Sequence, residues 1–253
     1  MIDEFDKKFE LETLESFDPK AFEGNADIPQ DICNFILTLA LVFNDLKDFL
    51  YANYYIQKLK PECELKINRM SGHYTGIDGH LKRNIIGYIH ELMNLINDNE
   101  KVIEHPFFKS IISKLAIGEQ EAWASLVDSS FKKQNSTDIG KYLLHIRNQV
   151  VFHYEPKAIY KGYKQFFTTG NTSNKGTERA FMSRGTNMAA TRYYFADAAI
   201  NGCFSAYNKE NSDTDIFSDS VMLIDKLNFT IMDILDKYLA RRCCAIRGEH
   251  EEN

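Results

Sequence analysis

Arg147 and His153 are the residues of this sequence best suited to chemistry, and they stand six positions apart. An arginine guanidinium is permanently charged, and its planar fork fits two phosphate oxygens. A histidine imidazole gains and loses a proton near neutral pH, so it can act as a general base or a general acid. Together the two side chains suit a reaction at a phosphate group, where one binds negative charge and the other moves a proton.

The stretch that must position this pair runs from Thr137 to Tyr154, and its pattern predicts one helix. Thr137 or Asp138 can cap its start, because their side-chain oxygens accept hydrogen bonds from the free N–H groups of a first turn. Pro156 sets its end, because a proline disfavours helical geometry in the residue before it. The apolar residues of this helix have the spacing of one buried face: Ile139, Leu143, Ile146 and Val150.

The two chemical residues lie on opposite margins of that apolar face. At about 100° per residue, Arg147 falls about 60° to one side of Val150 and His153 about 60° to the other. Asn148 points about 160° away from Val150 on an ideal helix, so its contribution to a site there is indirect at most. Arg147 and His153 therefore flank a packing seam instead of sharing one surface.

The charge of the chain is unevenly distributed. The net charge of −6 argues against a protein that coats nucleic acid indiscriminately, but a local basic site is compatible with it. Residues 1–31 hold ten acidic residues and three lysines, a net −7, whereas residues 141–192 hold nine Lys and Arg against two Glu, a net +7. The Arg147/His153 helix thus lies in the most basic region, although chance clustering on a solvated surface is an equal alternative.

The cysteines and the termini indicate the compartment. The five cysteines are odd in number and form no C-x-x-C pair, which favours reduced thiols and suggests no zinc site. The start of the chain lacks the basic-then-apolar order of a signal peptide, and the longest apolar run, near residues 35–43, is too short to span a membrane. We expect a soluble, cytoplasmic protein that has no membrane partner, no metal and no cofactor.

The apolar periodicity predicts an all-α fold, because helical spacing recurs along the chain and no alternating strand pattern of useful length occurs. We expect an acidic N-terminal arm or peripheral helix over 1–28, one helical domain over 29–245 with a flexible loop near 168–186, and a polar tail over 246–253. Besides the motif helix, the pattern predicts helices near 29–60, 77–97, 106–115, 118–133, from 156 onwards, 187–208 and 214–245.

Several side chains outside the motif receive simple assignments. Trp123 is expected in the core. His80 and His90 stand ten residues apart, which is not the spacing of a metal-binding pair, so both are interpreted as structural or surface histidines. Arg241 and Arg242 fall in the last turns of the final helix, where cations complement the helix dipole.

The helix that begins at Pro156 carries a second candidate surface. Lysines recur at spacings of four and three, beside Tyr160 and Tyr163, a mixture that can hold a nucleic-acid backbone and stack on bases. The arginines of the following loop and just beyond it are within reach of a phosphate. The candidate RNA-binding residues are Lys157, Lys161, Lys164, Arg179, Arg184 and Arg192. The alternative is an amphipathic helix with lysines in solvent and a loop whose arginines confer solubility.

The sequence Arg147-Asn148-x4-His153-Tyr154 at a helix end resembles the signature of the HEPN superfamily, in which an arginine and usually a polar residue precede a histidine by a short interval. The resemblance implies an up-and-down helical bundle with additional peripheral helices. It also implies a metal-independent endoribonuclease of prokaryotic defence or toxin–antitoxin systems, although other members are non-catalytic. Some toxin members carry a modifiable tyrosine two places after the histidine, where this chain has Glu155, and Tyr154 follows His153 directly.

The resemblance and the positions of the two residues lead to the same arrangement of catalytic groups. The candidate catalytic residues are Arg147, His153, Asn148 and Tyr154. Because Arg147 and His153 flank the seam, one copy is poorly arranged for catalysis, and two chains meeting across Val150 would form a composite site. The expected partners are therefore RNA, a second copy of the chain, and an antitoxin or defence-system protein.

Two alternatives stay open from the sequence. Arg147 and His153 could border the core alone, with Arg147 bonding a carboxylate and His153 capping helix-end carbonyls. The chain could also be a non-catalytic HEPN-like module that binds RNA, a nucleotide or a partner protein.

Overall fold

The computed structural model describes residues 14–58, 69–131, 155–167, 180–211, 216–242 and 247–249. The stretch from Thr137 to Tyr154 lies outside these residues. The described chain is predominantly helical, and the all-α class expected from the periodicity is confirmed. Its helices are α1 (Gln30–Lys58), α2 (Arg69–Asp98), α3 (Glu100–Ile103), α4 (Pro106–Ile112), α5 (Ile117–Phe131), α6 (Pro156–Phe167), α7 (Tyr194–Asn211) and α8 (Ile216–Arg242).

Two of the helices begin where a proline follows a side chain that caps the first turn. At α4, His105 Nδ1 accepts from the backbone N–H of Phe107 at 3.2 Å. At α6, Glu155 Oε2 accepts from the backbone N–H of Ala158 at 2.6 Å. A proline fits the first helical position because its missing N–H would have no partner inside the helix. The predicted start of a helix at Pro156 is therefore confirmed.

The core lies between α1, α2, α5 and α8, which pack against one another. Aromatic rings from three elements meet there: Phe108 lies 5.5 Å from Phe35 and 5.6 Å from Trp123, measured between ring centroids. Trp123 is 3% exposed, so its expected place in the core is confirmed. Fully buried side chains of α1, α2 and α8 recur at helical spacing, and they include Phe35, Ile36, Leu39, Leu46, Ile85, Ile89, Leu92, Ile96, Ile224, Leu227, Ile231 and Ile234. Burying one such side chain stabilises the fold by about 1.5–3 kcal/mol relative to exposing it.

Helices α6 and α7 form a tightly packed pair beside this core, joined to it through contacts of α7 with α2. The closest point is a glycine crossing: a Cβ at Gly162 would overlap the carbonyl oxygen of Ala199, and one at Gly202 would overlap the carbonyl oxygen of Gly162. Cys203 Sγ lies 3.2 Å from the carbonyl oxygen of Ala158 in the same contact. Because no side chain separates the two backbones, α6 has one fixed face towards α7.

Helix α2 begins eight residues earlier than its predicted start near Ile77, although Gly72 and Gly76 lie in this first part. These glycines lower helix propensity, which is why the pattern indicated a polar connection there. In the fold these glycines leave room for side chains from near the start of α7. A Cβ at Gly72 would lie 2.8 Å from the ring of Tyr194, and a Cβ at Gly76 would overlap the side chains of Arg192 and Asp197. Tertiary contact overrides local propensity at these positions.

Helix α7 begins at Tyr194, later than the predicted start at residue 187. The Asn187 side chain caps a short 3-10 turn, Met188–Ala190, by accepting from the N–H of Ala190 at 3.0 Å. Ser183 and Arg192 then pair as an isolated antiparallel bridge, with two backbone hydrogen bonds of 2.8 and 2.9 Å. The described end of the predicted loop, residues 180–186, is non-helical as expected.

The two ends of the described chain meet, which the sequence pattern did not indicate. Strand β1 (Leu14–Ser16) pairs antiparallel with strand β2 (Arg247–Glu249), with Glu15 opposite Gly248. After β1 comes a 3-10 turn, Pro19–Phe22, whose Ala21 is buried. The described part of the expected acidic arm thus contains this strand and this turn. Strands of three residues are too short to produce the alternating apolar pattern by which a strand is recognised in a sequence.

Tyr238 and Arg242 of α8 tie the turn Pro19–Phe22 to the core. The Tyr238 hydroxyl donates to the carbonyl oxygen of Ala21 at 2.7 Å and lies 3.3 Å from Cys33 Sγ. Arg242 Nε donates to the same carbonyl at 2.8 Å, and its guanidinium also bonds the carbonyl oxygen of Glu23. Burial, followed by the contact with Cys33, raises the pKa of Tyr238 above its ordinary range.

Within the described ranges, none of the helices combines the length and the apolar character that crossing a membrane requires.

The Tyr238 hydroxyl generates a stability prediction. Tyr238→Phe removes one buried hydrogen bond, whereas Arg242 still donates to Ala21, so we expect a loss of about 0.5–1.5 kcal/mol in the free energy of unfolding by urea titration at pH 7. Tyr88→Phe, at a side chain that is 40% exposed, is the control and should change stability little. Because the folded-state pKa of Tyr238 is raised, the unfolded phenol ionises first, so the advantage of the wild type should shrink as the pH rises above about 10. Equal stability of Tyr238→Phe and the wild type at pH 7 would contradict this role.

Candidate functional site

The four candidate catalytic residues, Arg147, Asn148, His153 and Tyr154, lie outside the described residues, and so does Arg179. Their arrangement therefore stays a prediction from the sequence. The next residue after this motif, Glu155, is described and caps α6. Helix α6 is thus the described element that continues directly from the motif.

The predicted lysine surface of α6 faces solvent. Lys157, Lys161 and Lys164 are exposed, and Tyr160 between them is 60% exposed. Lys164 Nζ lies 5.2 Å from the centroid of the Tyr160 ring, a cation–π distance. Four positions that the sequence placed on neighbouring faces thus form one exposed surface, which we name the α6 basic surface: Lys157, Tyr160, Lys161 and Lys164.

The other tyrosine of this helix has a different position. Tyr163 is half-buried, and its ring centroid lies 4.7 Å from that of Phe167. An aromatic ring held in such a contact offers little free face for stacking on a base. Tyr160 is therefore the better stacking residue of the pair.

The two described arginines among the RNA-binding candidates, Arg184 and Arg192, differ from each other. Arg184 is exposed beside the Ser183–Arg192 bridge. Arg192 is 26% exposed and donates from Nε to Asp197 Oδ2 at 3.0 Å, with its guanidinium against the backbone of α2 at Gly76. Arg192 thus has a structural partner, which leaves Arg184 as the more accessible of the two for a phosphate in solution.

His80 of α2 lies in a polar group for which the sequence offered only a surface or structural interpretation. Its Nε2 is 3.1 Å from Asn84 Nδ2, and its Nδ1 is 3.5 Å from Arg83 Nη2. Burial, Arg83 and Arg192 lower the pKa of His80, in that order, and Asp197 opposes them. The single signal for this group in the sequence is the local His-x-x-Arg-Asn spacing, because Arg192 and Asp197 arrive from more than 100 positions away.

His90, further along α2, matches its structural interpretation. His90 is 3% exposed, and its Nδ1 lies 3.1 Å from Asn94 Nδ2 and 3.5 Å from Glu91 Oε1. Its ring is enclosed by the helical core. Across the described ranges, no three or more His, Cys, Asp or Glu side chains form a group that could hold a metal ion.

Comparison with known proteins gives no relative: no protein-family model matches the chain, and neither a curated protein nor a solved structure shows a significant match.

The glycine crossing that orients the α6 basic surface can be tested by adding one methyl group. Gly162→Ala forces a Cβ into the carbonyl oxygen of Ala199, so we expect a loss of about 1–3 kcal/mol in the free energy of unfolding, measured by urea denaturation. Gly118→Ala is the matched control, because a Cβ at Gly118 in α5 meets no atom within 4 Å. There the improved helix propensity should stabilise the protein by up to about 1 kcal/mol. Equal effects of the two substitutions would argue against a close crossing of α6 and α7.

Proposed function

We propose that this chain is a metal-independent endoribonuclease of the HEPN type, which acts as a homodimer in a prokaryotic defence or toxin–antitoxin system. One observation carries the proposal: the Arg147/His153 motif, for which the sequence predicts a helix with an apolar seam between the two residues, is followed directly by the α6 basic surface. A group that can move a proton and a group that can bind phosphate are thereby adjacent in sequence to side chains suited to RNA.

The proposed reaction uses the 2′-hydroxyl of the RNA as nucleophile. His153 takes the proton of this hydroxyl, and the 2′-oxygen attacks the adjacent phosphorus. The bond between phosphorus and the 5′-oxygen breaks, and the partner subunit's His153 donates a proton to that oxygen. Arg147 stabilises the extra negative charge on the phosphorane. The products are a 2′,3′-cyclic phosphate and a 5′-hydroxyl end.

The homodimer follows from the positions of the two residues around the helix. Arg147 and His153 lie about 120° apart on an ideal helix, with the Val150 seam between them. Two such helices packed seam to seam bring two imidazoles and two guanidiniums to one groove. The reaction needs a base, an acid and positive charge, and this arrangement supplies all three.

The α6 basic surface gives this proposal a place for the rest of the RNA. Exposed lysines bind successive phosphates, and an exposed aromatic ring stacks on a base whatever its identity. Lys164 lies close enough to Tyr160 for the two to act on neighbouring parts of one nucleotide. The surface is a regular helix anchored on α7, so its charges keep their spacing when RNA binds.

Removal of the proposed proton-transfer group is the direct test. We expect the purified protein to cleave structured RNA in the presence of EDTA, and His153→Ala to slow cleavage by about 10²–10⁴-fold, the usual contribution of general acid–base catalysis. Arg147→Ala should slow cleavage by about 10²–10³-fold. Gel electrophoresis measures the rates, and enzymatic phosphorylation of the fragments detects the 5′-hydroxyl ends. Expression of the wild type should also be toxic to cells, with His153→Ala relieving it.

The matched control is His105→Ala, which removes a helix-capping imidazole of α4 and leaves the motif intact. Cleavage that persists at the wild-type rate in His153→Ala, or that is absent for several classes of RNA, would refute the endoribonuclease.

A non-catalytic RNA-binding module is the second candidate, and the α6 basic surface favours it because binding through lysines and a tyrosine needs no histidine. In that case RNA binding and dimerisation survive the loss of His153. The catalytic and the non-catalytic protein share this surface, so its test is separate from the cleavage assay.

Neutralising the α6 basic surface should weaken RNA binding in a salt-dependent way. We combine Lys157→Gln, Lys161→Gln and Lys164→Gln and plot log affinity for single-stranded RNA against log salt concentration. Each phosphate contact contributes about 0.7 to the magnitude of the slope, so we expect this magnitude to fall by up to about 2 in the triple variant. Fluorescence anisotropy in the His153→Ala background measures binding without cleavage.

The control replaces three exposed lysines of α3 and α4 and the turn that follows, Lys101, Lys109 and Lys114, by Gln, which makes the same change in net charge. Equal slopes for the two triple variants would show that the α6 basic surface makes no specific contact.

A further inference from the structure

We propose that a groove between α5 and α8 is an interface through which two copies of this chain pair. The groove is lined by residues of these two helices and of the turn before α5, and none of them belongs to the Arg147/His153 motif or to the α6 basic surface. The interface is also distinct from the Val150 seam at which the homodimer proposed above would meet. Its test is therefore independent of the endoribonuclease.

The groove opens between the first part of α5 and the middle of α8, and it has a volume of about 610 Å³. Small residues form much of its α5 wall. Gly118, Ala122 and Ser125 recur there at spacings of four and three, so they share one helix face. A Cβ at Gly118 would meet no atom within 4 Å, so the α5 wall has open space in front of it.

The α8 wall carries a large exposed ring. Phe229 lines the groove and is 51% exposed, and Met232, three residues further along the same helix, is 41% exposed. Thr230 between them is fully buried, and its hydroxyl donates to the carbonyl oxygen of Lys226 at 2.9 Å. The helix thus packs on one side and presents apolar side chains on the other, which is typical of a contact surface for another protein.

A second copy of the chain fits this groove, because the groove supplies both a projecting ring and the space for one. With a two-fold axis along the groove, the α8 wall of each copy lies over the α5 wall of its partner. Phe229 then packs against the partner subunit's Gly118 and the partner subunit's Ala122. Symmetry repeats this contact, so two phenyl rings leave water in one dimer.

The charged residues of the groove select the same arrangement. Lys226 on the α8 wall and Glu121 on the α5 wall are both exposed. The second carboxylate, Glu119, accepts from the backbone N–H of Ala116 at 3.2 Å, which holds it at the start of α5. A two-fold axis along the groove places each Lys226 opposite the partner subunit's Glu121, which gives two attractive pairs. An axis across the groove would place like charges opposite each other instead.

The size of the contact indicates a weak and reversible dimer. A stable protein interface buries about 800 Å² on each partner. The apolar contact here consists mainly of Phe229 and Met232, and one aromatic side chain buries about 150–250 Å². Exposed ion pairs add little to affinity, and salt screens them. We therefore expect a dissociation constant in the micromolar range.

Sedimentation velocity of the full-length protein over a micromolar concentration series tests the interface. We expect the sedimentation coefficient of the wild type to rise with protein concentration and to fall when NaCl is raised. Phe229→Glu puts a charge into the apolar contact and should weaken the association by about tenfold or more. Leu41→Glu is the matched control, because Leu41 of α1 is 60% exposed and lies outside the groove, and it should associate like the wild type.

Charge reversal distinguishes the two-fold pairing from unspecific association. Lys226→Glu and Glu121→Lys each make both pairs of the dimer repulsive, so each variant alone should associate about tenfold more weakly. In an equimolar mixture of the two variants, a mixed dimer has attraction at both pairs, and the mixture should sediment like the wild type. Both substitutions are at exposed positions, and circular dichroism checks that the variants fold.

A sedimentation coefficient of the wild type that stays constant over the series would overturn the proposal and indicate a different protein as the occupant of the groove. Equal association of Phe229→Glu and Leu41→Glu, or a mixture that sediments no faster than its separate components, would also contradict it. If the seam dimer forms as well, the wild type builds assemblies larger than a dimer, and the order of the variants is unchanged. RNA cleavage is measured separately, so failure of one proposal is distinguishable from failure of the other.

Discussion

The close approach of α7 to two other helices is the constraint on which two polar surfaces of the fold depend. On one side, Gly202 meets Gly162 of α6 so closely that neither position admits a methyl group. On the other side, Tyr194 and Asp197 lie against glycines of α2. Interiors are close-packed, so helices at backbone contact have little freedom to slide or rotate. The orientation of the α6 basic surface and the group around His80 both follow from the position of this one helix.

The arginines of this acidic chain have several different uses. At the end of α8, Arg241 donates to the carbonyl oxygen of Ser110 and Arg242 donates to that of Ala21. The sequence explains these cations by the helix dipole alone, whereas the fold also gives them tertiary hydrogen bonds. Arg192 pairs with a carboxylate, whereas the lysines of α6 face solvent. A basic region in the sequence is therefore divided by the fold into structural cations and a surface that can attract an anion.

Much of the bundle follows from local rules. The starts of α4 and α6 coincide with prolines, and the buried faces of α1 and α8 match the apolar spacing, because both features depend on residues within a few turns of each other. The predicted start of α2 was wrong, because Gly72 and Gly76 indicate a break in the helix when they are considered locally. In the fold these glycines are helical, and packing against Tyr194, Arg192 and Asp197 requires residues without a side chain there. It also missed the β1–β2 pairing, because three-residue strands carry no period and their partners are separated by almost the whole chain.

The sequence by itself determined the helical class and the exposed lysines of α6, since spacing along one helix places both. The arrangement of Arg147 and His153 stays a prediction of the same kind. The tertiary structure alone decided that Tyr160 of α6 is the more exposed of its two candidate tyrosines. It alone also paired Arg192 with Asp197 beside His80. The physical reason is distance along the chain. A helix records its own faces in its periodicity, but the contact of Gly76 with Arg192 joins residues more than 100 positions apart, and only packing brings them together.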